Sequence, residues 1–344
     1  MTRKTSITFI LNPISGTHKK DHIPALIADI IDQERFEYEI CPTEYAGHAT
    51  EIARASAAAG RDVVVAIGGD GTVNEVARSL VHTNTALGII PCGSGNGLAR
   101  HLCLPLDINK ALHIVNECKI ETFDYGVING LPFFCTCGMG FDAFISLKFA
   151  EAGKRGPITY VENVLKEALK YRPETYEVED ETGAKKYKAF LIACANASQY
   201  GNNAYIAPHA TMKDGLLDVV ILEPFTAFDA PQISIDLFNK TIENNSKFKT
   251  FKTKRIHIHR DEPGAIHYDG DPIMTGTDID ISIEPQGIHI ITNPEIVEDE
   301  RQPNFMLNAF SEFFNNINNV REDIGKQSHR IQVINKVLLR KLTR

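Results

Sequence analysis

Apolar positions along the first hundred residues switch between two periods. Residues 6–11 form a short β-rich apolar run, 23–31 carry apolar side chains at helical spacing, 36–41 read as a strand and 46–59 as an Ala-rich helix. The same order then repeats. Residues 63–67 are the continuous apolar run of a strand buried on both faces, 73–81 are helical, 87–91 form another strand, and a helix starts at about Asn96. This alternation predicts a doubly wound α/β domain. Open sheets of that type take ligands at the carboxyl ends of their strands, which directs attention to the loops after Leu11, Ile67 and Ile90.

After about residue 125 the texture changes. Short strand runs at 123–128, 131–137, 187–195, 217–222, 255–259 and 278–284 are interrupted by helical runs at 141–149, 158–171 and 230–239. A β-rich second domain with a few helices fits this pattern. Residues 304–344 return to helical apolar spacing, broken at Gly325, and read as two appended helices.

A length of 344 residues accommodates about two domains, and 43% hydrophobic with 23% charged residues is ordinary globular usage, which excludes a disordered or fibrous chain. The 36 Lys and Arg against 44 Asp and Glu give a net charge of −8, which argues against a surface that binds nucleic acid. The charge is unevenly spread. Residues 324–344 hold six Lys or Arg and no acid, which leaves −14 on residues 1–323. The seven scattered cysteines read as buried free thiols, and the Cys135-x-Cys137 pair has neither a second pair nor a His cluster to complete a zinc site. No apolar run reaches the roughly 18 residues of a membrane span, and a strand-like segment follows the N-terminus in place of a signal sequence. A cytoplasmic protein is expected.

All three of these loops carry glycine: residues 12–16 (Asn-Pro-Ile-Ser-Gly), 68–75 (Gly-Gly-Asp-Gly-Thr-Val-Asn-Glu) and 91–97 (Pro-Cys-Gly-Ser-Gly-Asn-Gly). Backbone without Cβ can approach phosphate oxygens closely and point N–H groups at them, and a following helix N-terminus adds a favourable dipole. Three such loops on one sheet edge make a phosphate cradle. Asp70 inside the cradle would repel a polyphosphate unless a cation came between them, which points to Mg²⁺; the alternative is an Asx-turn or helix-capping role. Neither the P-loop pattern with its adjacent Lys nor the G-x-G-x-x-G dinucleotide pattern is present. Asp269 and Asp271 stand two apart on a turn, where paired carboxylates can hold a proton at raised pKa; Tyr268 to Pro272 also reads simply as a hairpin turn.

These segments resemble the signature blocks of the diacylglycerol kinase catalytic domain superfamily, which includes bacterial diacylglycerol kinases and sphingosine kinases. Later blocks follow in the family's order at 124–130, 138–143, 200–201, 207–210, 214–219 and 269–271, so the resemblance covers about residues 5–293. It implies an N-terminal α/β nucleotide-binding domain of the NAD-kinase and diacylglycerol-kinase type and a C-terminal β-sandwich domain, with the active site between them. The implied bounds are 1–125 plus about 288–303 for the first, 126–287 for the lipid-side domain, and 304–344 for a helical extension. Carried over block by block, the resemblance places Asn12, Pro13, Ser15, Gly16, Thr43, Gly68, Gly69, Asp70, Gly71, Thr72, Asn74 and Ser94 around ATP, and Asp70 and Asp124 near a catalytic Mg²⁺. It gives Asp214 with the Thr211 and Leu216 carbonyls to a structural Mg²⁺; a plain turn at Asp214-Gly215 is the alternative. Asp269 would be the general base, with Asp271 assisting where the family usually has Glu.

The implied activity is an ATP- and Mg²⁺-dependent lipid kinase acting on diacylglycerol, a sphingoid base or another long-chain alcohol. An NAD kinase-like phosphotransferase and a catalytically silent lipid- or nucleotide-binding regulator are the rivals. The expected partner is a membrane lipid. In the tail, Ile331, Ile334, Leu338 and Leu342 form one apolar face flanked by Lys336, Arg340 and Lys341, suited to peripheral contact with the inner face of an anionic membrane, or to packing on the body or on a second copy in a homodimer.

Overall fold

The structure, a computed structural model, describes residues 3–16, 20–152, 167, 171–226 and 228–294. The predicted helix over 158–171 falls almost wholly, and the tail over 304–344 wholly, outside the described residues.

The N-terminal half runs β1 (Thr5–Leu11), α1 (Ile23–Ile30), β2 (Phe36–Pro42), α2 (His48–Ala58), β3 (Val63–Gly68), α3 (Asp70–Leu80), β4 (Ala86–Pro91), α4 (Gly97–His101) and α5 (Ile108–Glu117). Its strands are parallel in the order β2-β1-β3-β4, with Ile7 beside Val63 and Val63 beside Ala86. All six residues of β3 are buried because helices cover both faces of the sheet. Alternation along each strand divides the apolar side chains between two cores. Phe9, Val65 and Ile67 pack with Ile23 and Ile27 of α1 and Leu112 of α5, whereas Val64, Ala66 and Leu87 pack with Ala53 of α2 and Val73, Val76 and Leu80 of α3. Each fully buried Val, Leu, Ile or Phe among them contributes on the order of 1.5–3 kcal/mol.

The chain continues through β5 (Ile120–Ile128), β6 (Leu131–Phe133), β7 (Thr136–Gly140), α6 (Phe141–Ala152), β8 (Glu174–Asp180), β9 (Gly183–Ala189), β10 (Leu191–Ala195) and β11 (Leu217–Leu222). It ends with α7 (Ala230–Asn239), β12 (Phe248–Thr253), β13 (Arg255–Arg260), β14 (Gly264–Tyr268), β15 (Asp271–Thr275) and β16 (Asp278–Ile291). A six-stranded sheet, β12-β11-β10-β7-β14-β15, faces the outer part of the first sheet, which extends past β4 as β16-β13-β8-β9 with β5 also on β16. Met139, Ile192, Val219 and Ile221 meet Val178, Ile256, Ile258, Ile279 and Ile281 between the two layers. The architecture is therefore an α/β domain followed by an antiparallel β-sandwich. The strand β16 serves both: Ile281 pairs antiparallel with Ile256 and Ile128, and after an irregularity between Glu284 and Ile288, Ile290 lies parallel to Leu87 of β4.

Two predicted strands divide. The run over 187–195 leaves one sheet as β9 and joins the other as β10, changing layer at Phe190, whose N–H donates to Leu222 O at 2.7 Å. The run over 131–137 breaks into β6 and β7 because the N–H groups of Phe134, Cys135 and Thr136 point at the carboxylate of Asp269.

Candidate active site

The three glycine loops leave β1, β3 and β4 at one edge of the sheet and are knitted to one another. Asn12 N–H donates to Ile67 O at 3.0 Å and Cys92 N–H to Gly68 O at 2.7 Å, so the parallel ladder carries on into the loops. The Asn12 amide donates to Thr72 Oγ1 at 2.8 Å and accepts from Ile14 N–H at 3.1 Å. Glycine is required by close approach: a Cβ on Gly93 would stand 2.6 Å from Gly69 Cα, and one on Gly16, at φ +73°, would stand 2.1 Å from Cys92 O. Gly71 differs, with open space where its Cβ would be, at the N-terminus of α3. Ser15 is buried, Pro13, Gly16 and Ser94 are exposed, and Thr43 N–H donates to Leu11 O at 2.8 Å beside the first loop.

Asp70 accepts from Asn96 N–H at 2.9 Å and Gly97 N–H at 2.7 Å, clasping the second loop to the third. One lone pair of each carboxylate oxygen is used, and the residue keeps partial exposure. A buried cation not among the residues expected from the sequence, Lys20, donates from Nζ to Asn12 O at 2.7 Å and to Ser15 Oγ; burial pulls its ammonium below the usual lysine range. It closes the first loop eight residues after Asn12, beyond the span of the glycine motif.

The turn between β14 and β15 consists of Asp269 and Gly270, at φ +53° and +84°, the two left-handed positions of a type I′ hairpin. The Asp269 carboxylate accepts three main-chain bonds, from Phe134 at 2.8 Å, Cys135 at 2.7 Å and Thr136 at 3.2 Å. Its side chain is only 3% exposed, and Arg78 Nη2 stands 3.9 Å away. Burial pushes this carboxyl above the ordinary range, against the opposing pull of Arg78 and the three amides. Asp271 is the exposed partner, at 48%, and pairs with Arg78 Nη1 at 2.8 Å. Beneath the turn, His267 is buried with Nε2 3.0 Å from Asp142 Oδ2, and its Nδ1 accepts from Gly270 N–H at 3.4 Å. Tyr200 also donates to Asp142 Oδ2, at 3.3 Å.

The cradle and the turn face one another across α3. Asn74, one helical turn after Asp70, donates to Asp269 O at 3.4 Å. The buried Cys135 thiol lies within electrostatic reach of both Asp269 and Asp70, and after burial itself these two carboxylates raise its pKa. Asp70 and Asp269, the two ends of this line, are both among the residues expected from the sequence; Arg78 is not, although it stands at the next i+4 position after Asp70 and Asn74.

Two further predicted residues have other surroundings. Asp124 is 2% exposed and accepts from Gly215 N–H and Gln286 N–H, each at 2.8 Å, which joins β5 to the loop before β11 and to the irregular part of β16. Asp214 accepts from Leu216 N–H at 3.1 Å, two residues on, and its other oxygen accepts from Lys252 Nζ at 2.8 Å, which also stands 3.2 Å from Asp218. Thr211 precedes Met212, whose carbonyl accepts from Asp124 N–H at 2.8 Å. Among the described residues no group of three or more His, Cys, Asp or Glu side chains could hold a metal ion. Mg²⁺ is commonly held by one or two carboxylates together with substrate phosphates and water, a mode that the partly exposed Asp70 fits; Asp124 is more enclosed, with one main-chain donor on each carboxylate oxygen.

Comparison with known proteins places these features in a family. Residues 6–128 match the model of the diacylglycerol kinase catalytic domain, and residues 136–292 that of the YegS C-terminal NAD kinase beta sandwich-like domain. A probable lipid kinase YegS-like from Chromohalobacter salexigens is 30% identical over 232 residues, 66% of this chain and 75% of that protein. The crystal structure of a putative diacylglycerol kinase from Bacillus anthracis superposes with a TM-score of 0.71 at 23% identity, over 86% of this chain and 98% of that one. An NAD kinase from Archaeoglobus fulgidus, solved in complex with ATP, shares the fold with a TM-score of 0.50 at 12% identity, over 88% of this chain and 99% of that one.

Proposed function

The chain belongs to the diacylglycerol kinase catalytic-domain family, and on that premise we propose that it transfers the γ-phosphoryl group of ATP to the hydroxyl of a membrane lipid, with diacylglycerol as the first acceptor class. The observation that carries this reading is the placement of the Asp269 turn opposite the glycine loops, tied to them through Asn74. Phosphoryl transfer asks the protein chiefly for positioning, charge neutralisation and a base near the acceptor oxygen. The cradle offers main-chain N–H groups and the α3 N-terminus for the phosphates, with Lys20 as a nearby cation. Mg²⁺ bound with the nucleotide and held on Asp70 would neutralise charge on the phosphate oxygens. Asp269 has the raised proton affinity of a base, and three amides fix its orientation. As the lipid oxygen bonds to γ-phosphorus and the bond to the β-phosphate oxygen breaks, the hydroxyl proton passes to Asp269 and ADP departs. Asp271, more exposed, stays paired with Arg78 beside the base.

The test is transfer of label from γ-³²P-ATP to vesicles of diacylglycerol, sphingosine, ceramide, monoacylglycerol or phosphatidylglycerol, with NAD as a soluble acceptor. Label in diacylglycerol supports the reading; label in NAD alone, or in no acceptor, sinks it. Asp269→Asn should lower kcat by about 10²-fold or more while ATP still raises Tm, and near-normal turnover by that variant removes Asp269 as the base.

A further inference from the structure

Helix α3 carries one functional residue per turn on a single face. Asp70, Asn74 and Arg78 stand at i, i+4 and i+8, a stripe about 12 Å long at 1.5 Å per residue. Its first member clasps the second glycine loop to the third, its second touches the Asp269 carbonyl, and its third ends on the β14–β15 hairpin that carries Asp269. Arg78 uses every guanidinium nitrogen there. Nε donates to Pro132 O at 3.2 Å, Nη1 to Asp271 Oδ2 at 2.8 Å and Nη2 to Tyr268 O at 3.2 Å, with Asp269 Oδ2 at 3.9 Å from Nη2. The guanidinium carbon also sits 4.3 Å from the centroid of the Tyr268 ring. One side chain, 19% exposed, thus holds both carboxylates of the turn and the carbonyl that precedes them.

We propose that Arg78 is a positioning residue for phosphoryl transfer, fixing Asp271 and the hairpin backbone so that Asp269 is presented in ionised form opposite the nucleotide loops. This rests on the reading of Asp269 as base. Arg78 touches no nucleotide loop residue in the contacts above, so its action is through the carboxylates. A planar guanidinium can bind two acceptors and stack on a ring at once, whereas an ammonium supplies the charge without the fork. The titratable and charged groups facing Asp269 are Arg78 and, beyond Cys135, Asp70 on α3, Cys135 on the 134–136 segment, and Asp271, Tyr268 and the Asp142-linked His267 on its own hairpin and beneath it. Arg78 is the cation in this set that favours the ionised carboxylate.

The test compares Arg78→Met, Arg78→Lys and Asp271→Asn, singly and as Arg78→Met/Asp271→Asn, in vesicle assays on the full chain from pH 5 to 9. Arg78→Met should lower kcat by about 10²-fold with KM for ATP within about threefold, and should move the acid limb of kcat upward by about one pH unit. Arg78→Lys should restore the limb but only part of the rate, and adding Asp271→Asn to Arg78→Met should cost little more than Arg78→Met alone. An unmoved acid limb with additive losses would mean that Arg78 only braces the hairpin, and a raised KM for ATP at normal kcat would assign it to nucleotide binding; either overturns the proposal. If Arg78→Met fails to fold, Arg78→Lys with and without Asp271→Asn decides: a normal rate, or losses that add, overturns the proposal, and a lowered rate that Asp271→Asn lowers little further supports it. A wild type that labels no lipid ends the lipid-kinase reading and this proposal together, whereas an active wild type beside unaltered Arg78 variants ends this proposal alone.

Discussion

Replacing Asp124 with Asn separates two accounts of that residue. The carboxylate accepts Gly215 N–H on one oxygen and Gln286 N–H on the other, both at 2.8 Å, in a site where the residue is 2% exposed. Asn supplies one oxygen and one NH₂, so whichever way the amide turns, one main-chain donor faces another donor. The loss is a charge-assisted bond together with a stranded buried N–H, about 1–3 kcal/mol. For a chain of 344 residues each kcal/mol lowers Tm by roughly 1–2 °C, which gives a fall of roughly 1–6 °C. Asp124→Ala strands both donors and should fall about twice as far. The assay is thermal unfolding followed by near-ultraviolet circular dichroism, with the Mg²⁺ dependence of turnover measured on variant that remains folded at 20 °C. The expected result is a lower Tm and an unchanged Mg²⁺ midpoint. An unaltered Tm with a Mg²⁺ requirement shifted tenfold would refute the argument and return Asp124 to the metal.

Packing between the second and third loops predicts that Gly93→Ala, whose Cβ would stand 2.6 Å from Gly69 Cα, weakens ATP binding at least tenfold. Gly71→Ala, in open space, should leave the Tm of the nucleotide-free protein within about 2 °C, and isothermal calorimetry and thermal shift with ATP measure the pair; equal ATP affinity in the wild type and Gly93→Ala would contradict the packing account. His101 bonds through Nδ1 to Ser198 Oγ at 3.0 Å and Ser198 N–H at 3.1 Å, and burial pulls its pKa from 6.5 down to about 4. Its folded pKa lies below its unfolded one, so between those values the unfolded chain binds more protons and acidification destabilises the fold. This one group accounts for about 2–3 kcal/mol between pH 7 and pH 4.5. His101→Asn should flatten that part of the urea-midpoint profile, and identical slopes for wild type and variant would show that burial does not hold the imidazole neutral.

The α/β half was legible because each buried strand is a run of Val and Ile bounded by glycine loops, and each helix carries its own apolar period. The three loops at the carboxyl ends of β1, β3 and β4 followed from the strand order and the placing of glycines. Residues 131–137 were misread as one strand because their apolar pattern is that of a strand throughout. Only the distant Asp269 carboxylate, more than 130 residues away, draws three N–H groups out of the ladder. Arg78 was hidden for a related reason: an Arg near the end of an amphipathic helix usually faces solvent, and nothing local reports that a hairpin from the other sheet covers it. The partners of Asp124 and Asp214, main-chain donors and Lys252, were not legible in the sequence because they are set by tertiary packing.

The double membership of β16 bears on how the protein is made. The first sheet lacks its neighbour to β4, and the core lacks Ile288 and Ile290, until a strand encoded about two hundred residues after β4 has been synthesised. At common translation rates of about 5–20 residues per second that interval is roughly 10–40 s. During it the β4 edge of the nascent N-terminal half stands open at the ribosome, a ready template for wrong pairing, so the window in which this protein is most exposed to aggregation is set by the order of its strands along the messenger.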